Sequence, residues 1–185
     1  SASKAASDHL VKAWGITYGI PILISNCSNN YGPYHFPEKL IPLTIKNIFA
    51  GKPIRVYGNG ENIRDWLYVE DHCRALEKIL LNGSVGETYC IGGGNEISNI
   101  DLVKMLTSTI DKCVIKFKKS LPIIPSEKLI EFVDDRLGHD LRYAINYTKL
   151  KEELGWEPIT NFKEGIEKTV EWFIKNPEWL EGKND

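Results

Sequence analysis

Two short apolar segments, residues 22–25 and 88–91, constrain the fold of this chain more than any other feature of its sequence. Neither segment alternates between apolar and polar residues, which is typical of a parallel strand buried on both faces of its sheet. Amphipathic helical patterns lie before the first segment, between the two segments and after the second. This order of strands and helices predicts an α/β fold with a parallel sheet.

Composition narrows the class of protein. The 185 residues suffice for about one domain with a sizeable core. A net charge of −2 and the lack of a long basic run argue against a nucleic-acid partner, and no apolar stretch has the length of a membrane span. Residues 1–12 lack the apolar core of a signal peptide. The cysteines are scattered and no pair has metal-ligand spacing, so we expect reduced thiols, no metal and a cytoplasmic protein.

Apolar periodicity predicts the remaining elements. The first helix, over residues 1–18, carries one apolar stripe formed by Ala2, Ala6, Leu10 and Trp14. Further helices are expected to begin near residue 39, to span 69–81, 100–110 and 147–154, and to end near 174, with strands at 54–57, 114–117 and 130–133. Asn99 is expected to be the N-cap of the helix that begins at residue 100.

The most informative run is residues 28–42, with the sequence SNNYGPYHFPEKLIP. It follows the first buried strand, at the edge where open α/β sheets bind their ligands. Its side chains include two amides, three flat rings and a cation suited to phosphate, which belong to Asn29, Asn30, Tyr34, His35, Phe36 and Lys39. A polar turn between a strand and a helix is the alternative, but the density of ligand-type groups favours a binding loop.

Three other polar stretches have both a functional and a structural interpretation. Arg64 either binds an anionic ligand or forms an ion pair with Asp65. The glycine triplet at residues 92–94 either cradles a phosphate or allows close backbone packing, and we favour close packing. Residues 134–140 bring Asp, Arg and His to the end of a strand, as either a ligand site or a salt-bridged surface turn.

Residues 28–42 resemble the matching loop of the dTDP-glucose 4,6-dehydratases, NAD-dependent members of the extended short-chain dehydrogenase/reductase superfamily. The core Asn-x-Tyr-Gly-Pro is shared by many nucleotide-sugar epimerases and dehydratases, whereas the longer run through Pro42 is much more specific to the dTDP-glucose enzymes. The similarity extends from Ser1 to about Trp172. It implies the last part of a Rossmann-type parallel sheet domain and a smaller α/β substrate-binding domain.

The resemblance also implies a division of the chain. Residues 1–28 and 69–93 would complete an NAD-binding Rossmann domain, residues 29–68 and 94–176 would form the nucleotide-sugar-binding domain, and residues 177–185 would be a polar tail that frays. The chain would be the C-terminal half of such an enzyme. Its partners would be the missing N-terminal half and, through the first helix, a second copy in a homodimer.

Lys4 matches the lysine of the family's Tyr-x-x-x-Lys motif, because residues 1–4 read SASK where the family reads YSASK. In the family this lysine binds the nicotinamide ribose of NAD and lowers the pKa of the catalytic tyrosine. That tyrosine would be the residue before Ser1. Taken without the resemblance, Lys4 would be interpreted as a surface lysine. Asn30 is also expected to bind the cofactor.

The resemblance assigns a larger set of residues to the nucleotide sugar. Arg64 belongs to a motif beginning Arg-Asp-Trp and would bind the diphosphate. Residues 135–140 match Asp-Arg-Pro-Gly-His-Asp, with Leu137 in place of proline, which should loosen this turn. The full set of expected substrate contacts is Asn29, Lys39, Leu40, Arg55, Val56, Tyr57, Arg64, Asn99, Asp135, Arg136 and His139.

The implied activity of the whole enzyme is a hydro-lyase reaction. NAD oxidises the C4 hydroxyl of dTDP-glucose, water is lost across C5–C6 and hydride returns to C6, giving dTDP-4-keto-6-deoxyglucose for the biosynthesis of rhamnose and other deoxysugars. This chain lacks the tyrosine, the glycine-rich pyrophosphate loop and the Asp-Glu pair used for elimination, so we expect it to be inactive alone. The alternatives are a UDP-sugar 4-epimerase or UDP-glucuronate decarboxylase of the same superfamily, and a non-catalytic nucleotide-binding fragment.

Overall fold

The computed structural model of the chain describes residues 1–181. Its helices are α1 (Ala2–Tyr18), α2 (Leu40–Ala50), α3 (Val69–Asn82), α4 (Asn99–Lys116), α5 (Thr148–Leu154), α6 (Phe162–Lys175) and α7 (Glu178–Glu181). Its strands are β1 (Ile24–Cys27), β2 (Asn29–Tyr31), β3 (Ile54–Tyr57), β4 (Ile63–Tyr68), β5 (Thr88–Ile91), β6 (Glu96–Ser98), β7 (Ile130–Val133) and β8 (Arg142–Tyr143). One turn of 3-10 helix at Ser126–Leu129 precedes β7. The combination of helices with parallel strand pairs confirms the predicted α/β class.

The two buried strands predicted from the sequence pair with each other. β1 and β5 run parallel, with Ile24 opposite Thr88 and Cys27 opposite Ile91. Tyr89 and Ile91 of β5 are fully buried, but Ser25 of β1 is exposed, so the expected burial on both faces is incomplete within the described residues. The first strand begins two residues later than predicted, because hydrogen bonding to β5, and not hydrophobicity, sets where it begins: Ile24 N donates to the carbonyl oxygen of Glu87.

A second sheet is built around β4. β2 lies parallel to the last residues of β4, whereas β6 and β8 pair with its first residues. Residues 29–31, predicted to be loop, are therefore a short strand, with Asn29 opposite Trp66 and Tyr31 opposite Tyr68. The prediction was wrong because asparagine is uncommon in strands, and the pairing with β4 is a tertiary interaction that no local pattern shows.

A third, parallel pair consists of β3 and β7, as the alternating patterns at residues 54–57 and 130–133 indicated. Tyr57, the last residue of β3, lies opposite Val133, the last residue of β7. Because the strands are parallel, the segments that follow them leave the same edge. The residues after position 133 are thereby brought close to Tyr57.

The strand predicted at residues 114–117 is wrong. Residues 114–116 form the last turn of α4, which extends to Lys116. Val114 is buried four residues after Ile110, so both lie on the helix face that packs into the core. This burial outweighs the preference of Val114 and Ile115 for strands.

Ser98, and not Asn99, is the N-cap of α4. Ser98 has an extended backbone, and its Oγ accepts a hydrogen bond from Asp101 N at 3.1 Å. Asn99 is the first residue inside the helix. Serine and asparagine are about equally favoured as N-caps, so two adjacent candidates leave the choice to the backbone geometry.

Two apolar cores stabilise the fold. The larger core packs α2, α4 and α6 against β3 and β4, and it includes the fully buried Ile45 and Ile166. The smaller core surrounds β5 and includes Tyr89, Leu150 and Trp156. Each buried side chain of this kind contributes roughly 1.5–3 kcal/mol. Leu150 and Trp156 belong to the segment expected in the nucleotide-sugar-binding domain, and the division into two domains stays a prediction.

The predicted helix over the first residues is present as α1, but none of its residues is buried. Leu10 and Trp14, from the predicted apolar stripe, are 62% and 58% exposed. The stripe is therefore uncovered in the described part of the chain. Among residues 1–181, no helix combines the length and the apolar character needed to cross a membrane.

The C-terminal segment, predicted to be a polar tail over residues 177–185, is ordered in part. Residues 178–181 form α7, and Leu180 is only 6% exposed in the larger core. The prediction was wrong here because one apolar residue anchors a segment whose average composition is polar. Residues 182–185 of the predicted tail lie outside the described residues.

Candidate ligand-binding site

A cavity of about 980 Å³ lies at the ends of several strands. Ser28 and Asn29 follow β1, Tyr57 ends β3, and Arg136 and His139 follow β7, and all five line the cavity. Ligands of open α/β proteins bind outside the carboxyl ends of the strands. The volume is in the range of sites for cofactors and other small molecules.

The cavity brings together most of the residues predicted to contact a ligand. These are Asn29, Asn30, Lys39, Leu40, Arg55, Val56, Tyr57, Arg64, Asn99, Arg136 and His139. Asp135 is not in the lining but contacts His139. Lys4 is not in the lining either, because it lies on the exposed helix α1. The shared location is compatible with the expected roles, which stay predictions.

The lining is strongly cationic, although the chain carries a net charge of −2. Its positively charged side chains are Lys39, Lys52, Arg55, Arg64 and Arg136. They outnumber the acidic lining residue Glu38, whose Oε1 lies 3.7 Å from Lys39 Nζ in a solvent-exposed pair of little energetic weight. Clustered cations in a concave surface concentrate anions. The cavity therefore suits an anionic ligand such as a diphosphate.

Tyr57, Arg136 and His139 form an aromatic and cationic corner of the cavity. Arg136 Cζ lies 5.1 Å from the centroid of the Tyr57 ring, and the ring centroids of Tyr57 and His139 are 6.4 Å apart. Tyr57 is 41% exposed, so part of its ring surface is available to a planar ligand. The parallel pairing of β3 and β7 is what brings these residues together.

Asp135 orients His139. Asp135 Oδ1 lies 2.7 Å from His139 Nδ1 and also accepts a hydrogen bond from Arg136 N at 2.8 Å. The His139 side chain is 3% exposed. The hydrogen bond with His139 lowers the pKa of Asp135 from its usual value. A neutral imidazole that donates Nδ1–H to a carboxylate presents Nε2 as a hydrogen-bond acceptor.

A backbone carbonyl holds Arg64 in the cavity wall. Arg64 Nη1 donates to the carbonyl oxygen of Asp140 at 3.0 Å. The alternative ion pair with Asp65 is not formed, because the buried Asp65 carboxylate accepts the backbone N–H groups of Gly93 and Asn95, both at 2.9 Å. Asp65 therefore does not neutralise the Arg64 guanidinium. The Arg64 side chain is accordingly suited to bind an anion.

The glycine triplet at residues 92–94 permits close backbone packing, as favoured from the sequence. A Cβ atom on Gly93 would overlap the carbonyl group of Trp66, and one on Gly92 would come within 2.5 Å of the Ile145 carbonyl oxygen. The cavity lining includes none of the three glycines. Their role is to let neighbouring backbone segments approach, and the alternative phosphate cradle has no support.

Asn30 is fixed beside the cavity by its amide nitrogen. Nδ2 donates to the Ser28 carbonyl oxygen at 3.2 Å and to Cys27 Sγ at 3.3 Å. Within residues 1–181, the buried Oδ1 of Asn30 and the buried Oγ of Ser28 make no hydrogen bond. A buried polar atom without a partner costs free energy, so a bound group or additional polypeptide at this position would be favoured.

His35 lines the cavity as a neutral ring at pH 7. Burial, and then the charge of Lys39, lowers its pKa to about 4. The other two rings of this loop do not line the cavity. Tyr34 packs against Trp179, and Phe36 is 59% exposed. The expectation of three flat surfaces for one ligand is therefore met by His35 but not by its aromatic neighbours.

Some lining residues were not expected from the sequence, among them Thr44, Asn47, Lys52, Trp66 and Val103. Lys52 adds a cation, and its position two residues before β3 was a signal, because residues 55–57 of that strand were already candidates. Asn47 Nδ2 donates to the Pro53 carbonyl oxygen at 3.0 Å and connects the end of α2 to this strand. Thr44 and Trp66 had no such signal, since both lie within patterns typical of a core.

A group of potential metal ligands lies away from the cavity. The ligand atoms of Cys113, Glu167 and Glu171 lie within 4.8 Å of one another. Glu171 Oε1 already pairs with Lys116 Nζ at 2.5 Å. Burial, followed by the charges of the two glutamates, raises the pKa of the Cys113 thiol. Because only the thiolate binds a metal well, the raised pKa of Cys113 disfavours a metal site here. The carboxylate of Glu171 is already compensated by its ion pair with Lys116.

The fold and the cavity together define a class of protein. Parallel strands covered by helices, with polar residues at the strand ends, are an arrangement that the chain shares with Rossmann-type dTDP-glucose 4,6-dehydratases of known structure. The family model for GDP-mannose 4,6-dehydratase matches residues 1–169, and the chain belongs to that family.

Individual relatives are dTDP-glucose 4,6-dehydratases. The enzyme of Escherichia coli is 59% identical over 179 residues, which cover 97% of this chain and 49% of the relative. A crystal structure of dTDP-glucose 4,6-dehydratase from Streptomyces venezuelae, with NAD bound, superposes with a TM-score of 0.85 at 40% identity, over 97% of this chain and 52% of that chain. UDP-glucose 4-epimerase from Thermotoga maritima is more distant, with a TM-score of 0.80 and 26% identity over 95% of this chain and 53% of the epimerase.

These comparisons confirm the resemblance to dTDP-glucose 4,6-dehydratases that the loop at residues 28–42 indicated. The chain spans about half the length of the curated relatives it matches.

Proposed function

We propose that this chain forms the nucleotide-sugar-binding part of a dTDP-glucose 4,6-dehydratase, an NAD-dependent hydro-lyase. The cavity carries the proposal, because it gathers a cluster of cations and the Tyr57 ring at the strand ends where such ligands bind. Among the solved structures, identities of 44% and 40% to dTDP-glucose 4,6-dehydratases, against 26% to a UDP-glucose 4-epimerase, favour the dTDP-glucose branch over the UDP-sugar enzymes.

The cavity residues divide by chemistry into three roles. Arg64 and Arg136 bind the diphosphate, since a planar guanidinium can donate two parallel hydrogen bonds to phosphate oxygens. Tyr57 stacks on the planar base. His139, oriented by Asp135, accepts a hydrogen bond from a hydroxyl or N–H group of the nucleotide through Nε2.

NAD, when bound, would supply the oxidant for the C4 hydroxyl of the sugar and the hydride that returns to C6. The residues of this chain that would hold it are Lys4 and Asn30. The buried Oδ1 of Asn30, which makes no hydrogen bond within residues 1–181, fits a role toward a bound group. Lys4 is exposed on α1 and fits a role toward the ribose hydroxyls, which accept hydrogen bonds from an ammonium group.

The organisation of the whole enzyme belongs to the same proposal. Residues 1–28 and 69–93 would complete the NAD-binding domain with an N-terminal half, and residues 29–68 and 94–176 would bind the nucleotide sugar. The uncovered apolar stripe of α1 supports packing against that half or against a second copy in a homodimer. A cytoplasmic location is proposed from the four free cysteines.

A calorimetric titration of the chain with dTDP, and with UDP for comparison, tests the function. We expect dTDP to bind and UDP to bind at least tenfold more weakly, because the proposed ligand carries thymine. Arg136→Ala should weaken dTDP binding, whereas Arg74→Ala is a matched control, since Arg74 pairs with Asp71 away from the cavity.

Tighter binding of UDP would contradict the dTDP assignment and favour a UDP-sugar enzyme. Binding of neither nucleotide would contradict the proposal that this chain carries the nucleotide site by itself.

A further inference from the structure

The loop that carries His35 and Lys39 is held from outside the cavity by the C-terminal segment. Trp179, on α7, donates a hydrogen bond from Nε1 to the His35 carbonyl oxygen at 3.2 Å. Its ring lies edge-on to Tyr34, with the centroids 5.2 Å apart. Trp172, on α6, completes the group, with its ring centroid 4.7 Å from that of Tyr34 and 6.1 Å from that of Trp179. We call Tyr34, Trp172 and Trp179 the C-terminal clamp.

The loop has an internal reason to need such support. Tyr34 has a φ of 62°, a left-handed conformation that costs free energy for a residue with a Cβ atom. Such a conformation persists where the surrounding structure determines it. The loop's own backbone hydrogen bonds are few, and one of them, from His35 N to the Gly32 carbonyl oxygen, is long at 3.4 Å.

The C-terminal clamp is itself anchored in the larger core. Leu180, next to Trp179, is 6% exposed within that core. Trp179 N and Leu180 N donate to the carbonyl oxygens of Asn176 and Pro177, which closes the turn between α6 and α7. The loop is therefore fixed to a segment that is anchored in the larger core. Trp172 and Trp179 both lie beyond residues 1–169, the part matched by the family model.

We propose that Trp179 is a positioning residue for the nucleotide-sugar site. Trp179 does not line the cavity, and it acts through the loop that places His35 and Lys39 in the cavity wall. Released from the C-terminal clamp, the loop would hold its binding conformation only part of the time. The apparent affinity for the ligand falls by the same fraction. The identity of that ligand rests on the proposed function, whereas the support of the loop does not.

Two variants separate the parts of the C-terminal clamp. Trp179→Phe keeps an aromatic ring and removes only the N–H donor, while Trp179→Ala removes both. Trp156→Phe is the matched control, because it removes a buried indole N–H that has no partner within residues 1–181 and lies in the other core. The measurements are amide hydrogen exchange of residues 34–39, the dissociation constant for dTDP and the thermal midpoint without ligand.

We expect exchange of these loop amides to become about tenfold faster in Trp179→Ala, with the amides of β1 and β5 unchanged. The dissociation constant for dTDP should rise about three- to tenfold in Trp179→Ala and by less in Trp179→Phe. Trp156→Phe should change neither quantity, even if it lowers the thermal midpoint. This pattern distinguishes positioning of the loop from a general loss of stability.

Unchanged exchange of residues 34–39 in a folded Trp179→Ala chain would overturn the proposal. So would faster exchange with an unchanged affinity for dTDP. If the alanine variant does not fold, Trp179→Phe decides by the same two measurements. A wild-type chain that binds no dTDP would overturn the proposed function, but the exchange result would still decide whether Trp179 positions the loop.

Discussion

At the scale of single residues, the protonation of His35 makes the stability of the folded chain depend on pH. Its pKa in the folded chain is about 4, against 6.5 for a free imidazole, because burial and then the charge of Lys39 disfavour the protonated form. Between these two values the unfolded chain binds a proton that the folded chain does not. The stability that is present above pH 6.5 is therefore lost as the pH falls toward 4.

The variant His35→Gln removes this titration. From pH 7 to pH 5 we expect the wild-type chain to lose about 2 kcal/mol more of its free energy of unfolding than the variant does. Urea unfolding at both pH values measures the difference. His72, whose pKa is also lowered by burial, titrates in both proteins and cancels in the comparison. Equal losses in the two proteins would contradict the buried, neutral state of His35.

Single residues also show what a sequence can reveal about a site. The family resemblance assigned Tyr57, Arg64 and Arg136 to the ligand; Tyr57 and Arg136 also lie near the ends of predicted strands, whereas Arg64 was recognised by its Arg-Asp-Trp motif. Thr44 could not be selected in this way, because it lies within the core-type pattern of α2 and reaches the cavity only through the packing of that helix. A motif shows which residues are adjacent in the sequence, whereas the residues that line a cavity are determined by the segments that the tertiary structure brings together.

At the scale of elements, α4 illustrates how local and tertiary preferences compete. Its first turn was placed within one residue, since serine and asparagine are both good N-caps. Its last turn was mistaken for a strand, because Val114 and Ile115 favour strands locally while the core favours a helix at Val114. Strand β2 was missed for the complementary reason: asparagines favour turns, yet pairing with β4 makes them a strand.

The N-cap of α4 is directly testable. Ser98→Ala should lower the free energy of unfolding by about 1 kcal/mol, because the backbone N–H of Asp101 loses its acceptor. Ser98→Thr keeps the hydroxyl and should lose less. Ser108→Ala, at an exposed position inside the same helix, is the control and should be neutral or slightly stabilising. These values come from chemical denaturation, and a Ser98→Ala chain as stable as the wild type would show that the cap contributes nothing.

At the scale of the whole molecule, the fold class followed from the sequence because buried parallel strands have an unusual pattern, apolar without alternation. The uncovered face of α1 did not follow, since an apolar stripe predicts burial but does not identify the partner that provides it. The sequence did not predict the ordered α7 for a similar reason, because the burial of Leu180 depends on the tertiary packing of the larger core.

The chain should not turn over dTDP-glucose by itself. Residues 1–185 do not contain the family's motif tyrosine ahead of Lys4 or its glycine-rich pyrophosphate loop, so the groups for proton transfer and for cofactor binding are incomplete. A turnover assay with dTDP-glucose and added NAD, monitored for the 4-keto product, measures this. Clear product formation by the purified chain would contradict the expectation, and a full-length relative serves as the positive control.

The parallel pairing of β3 with β7 would link ligand binding to the resistance of the chain to proteolysis. Tyr57 and Arg136 meet only when two segments far apart in the chain are joined. A nucleotide that contacts both would bridge them, and its binding free energy would be available only to the closed form. Local opening of the β3–β7 pair would become rarer as the ligand concentration rises. The supply of the sugar nucleotide would then set how often proteases reach the polypeptide, and so its lifetime.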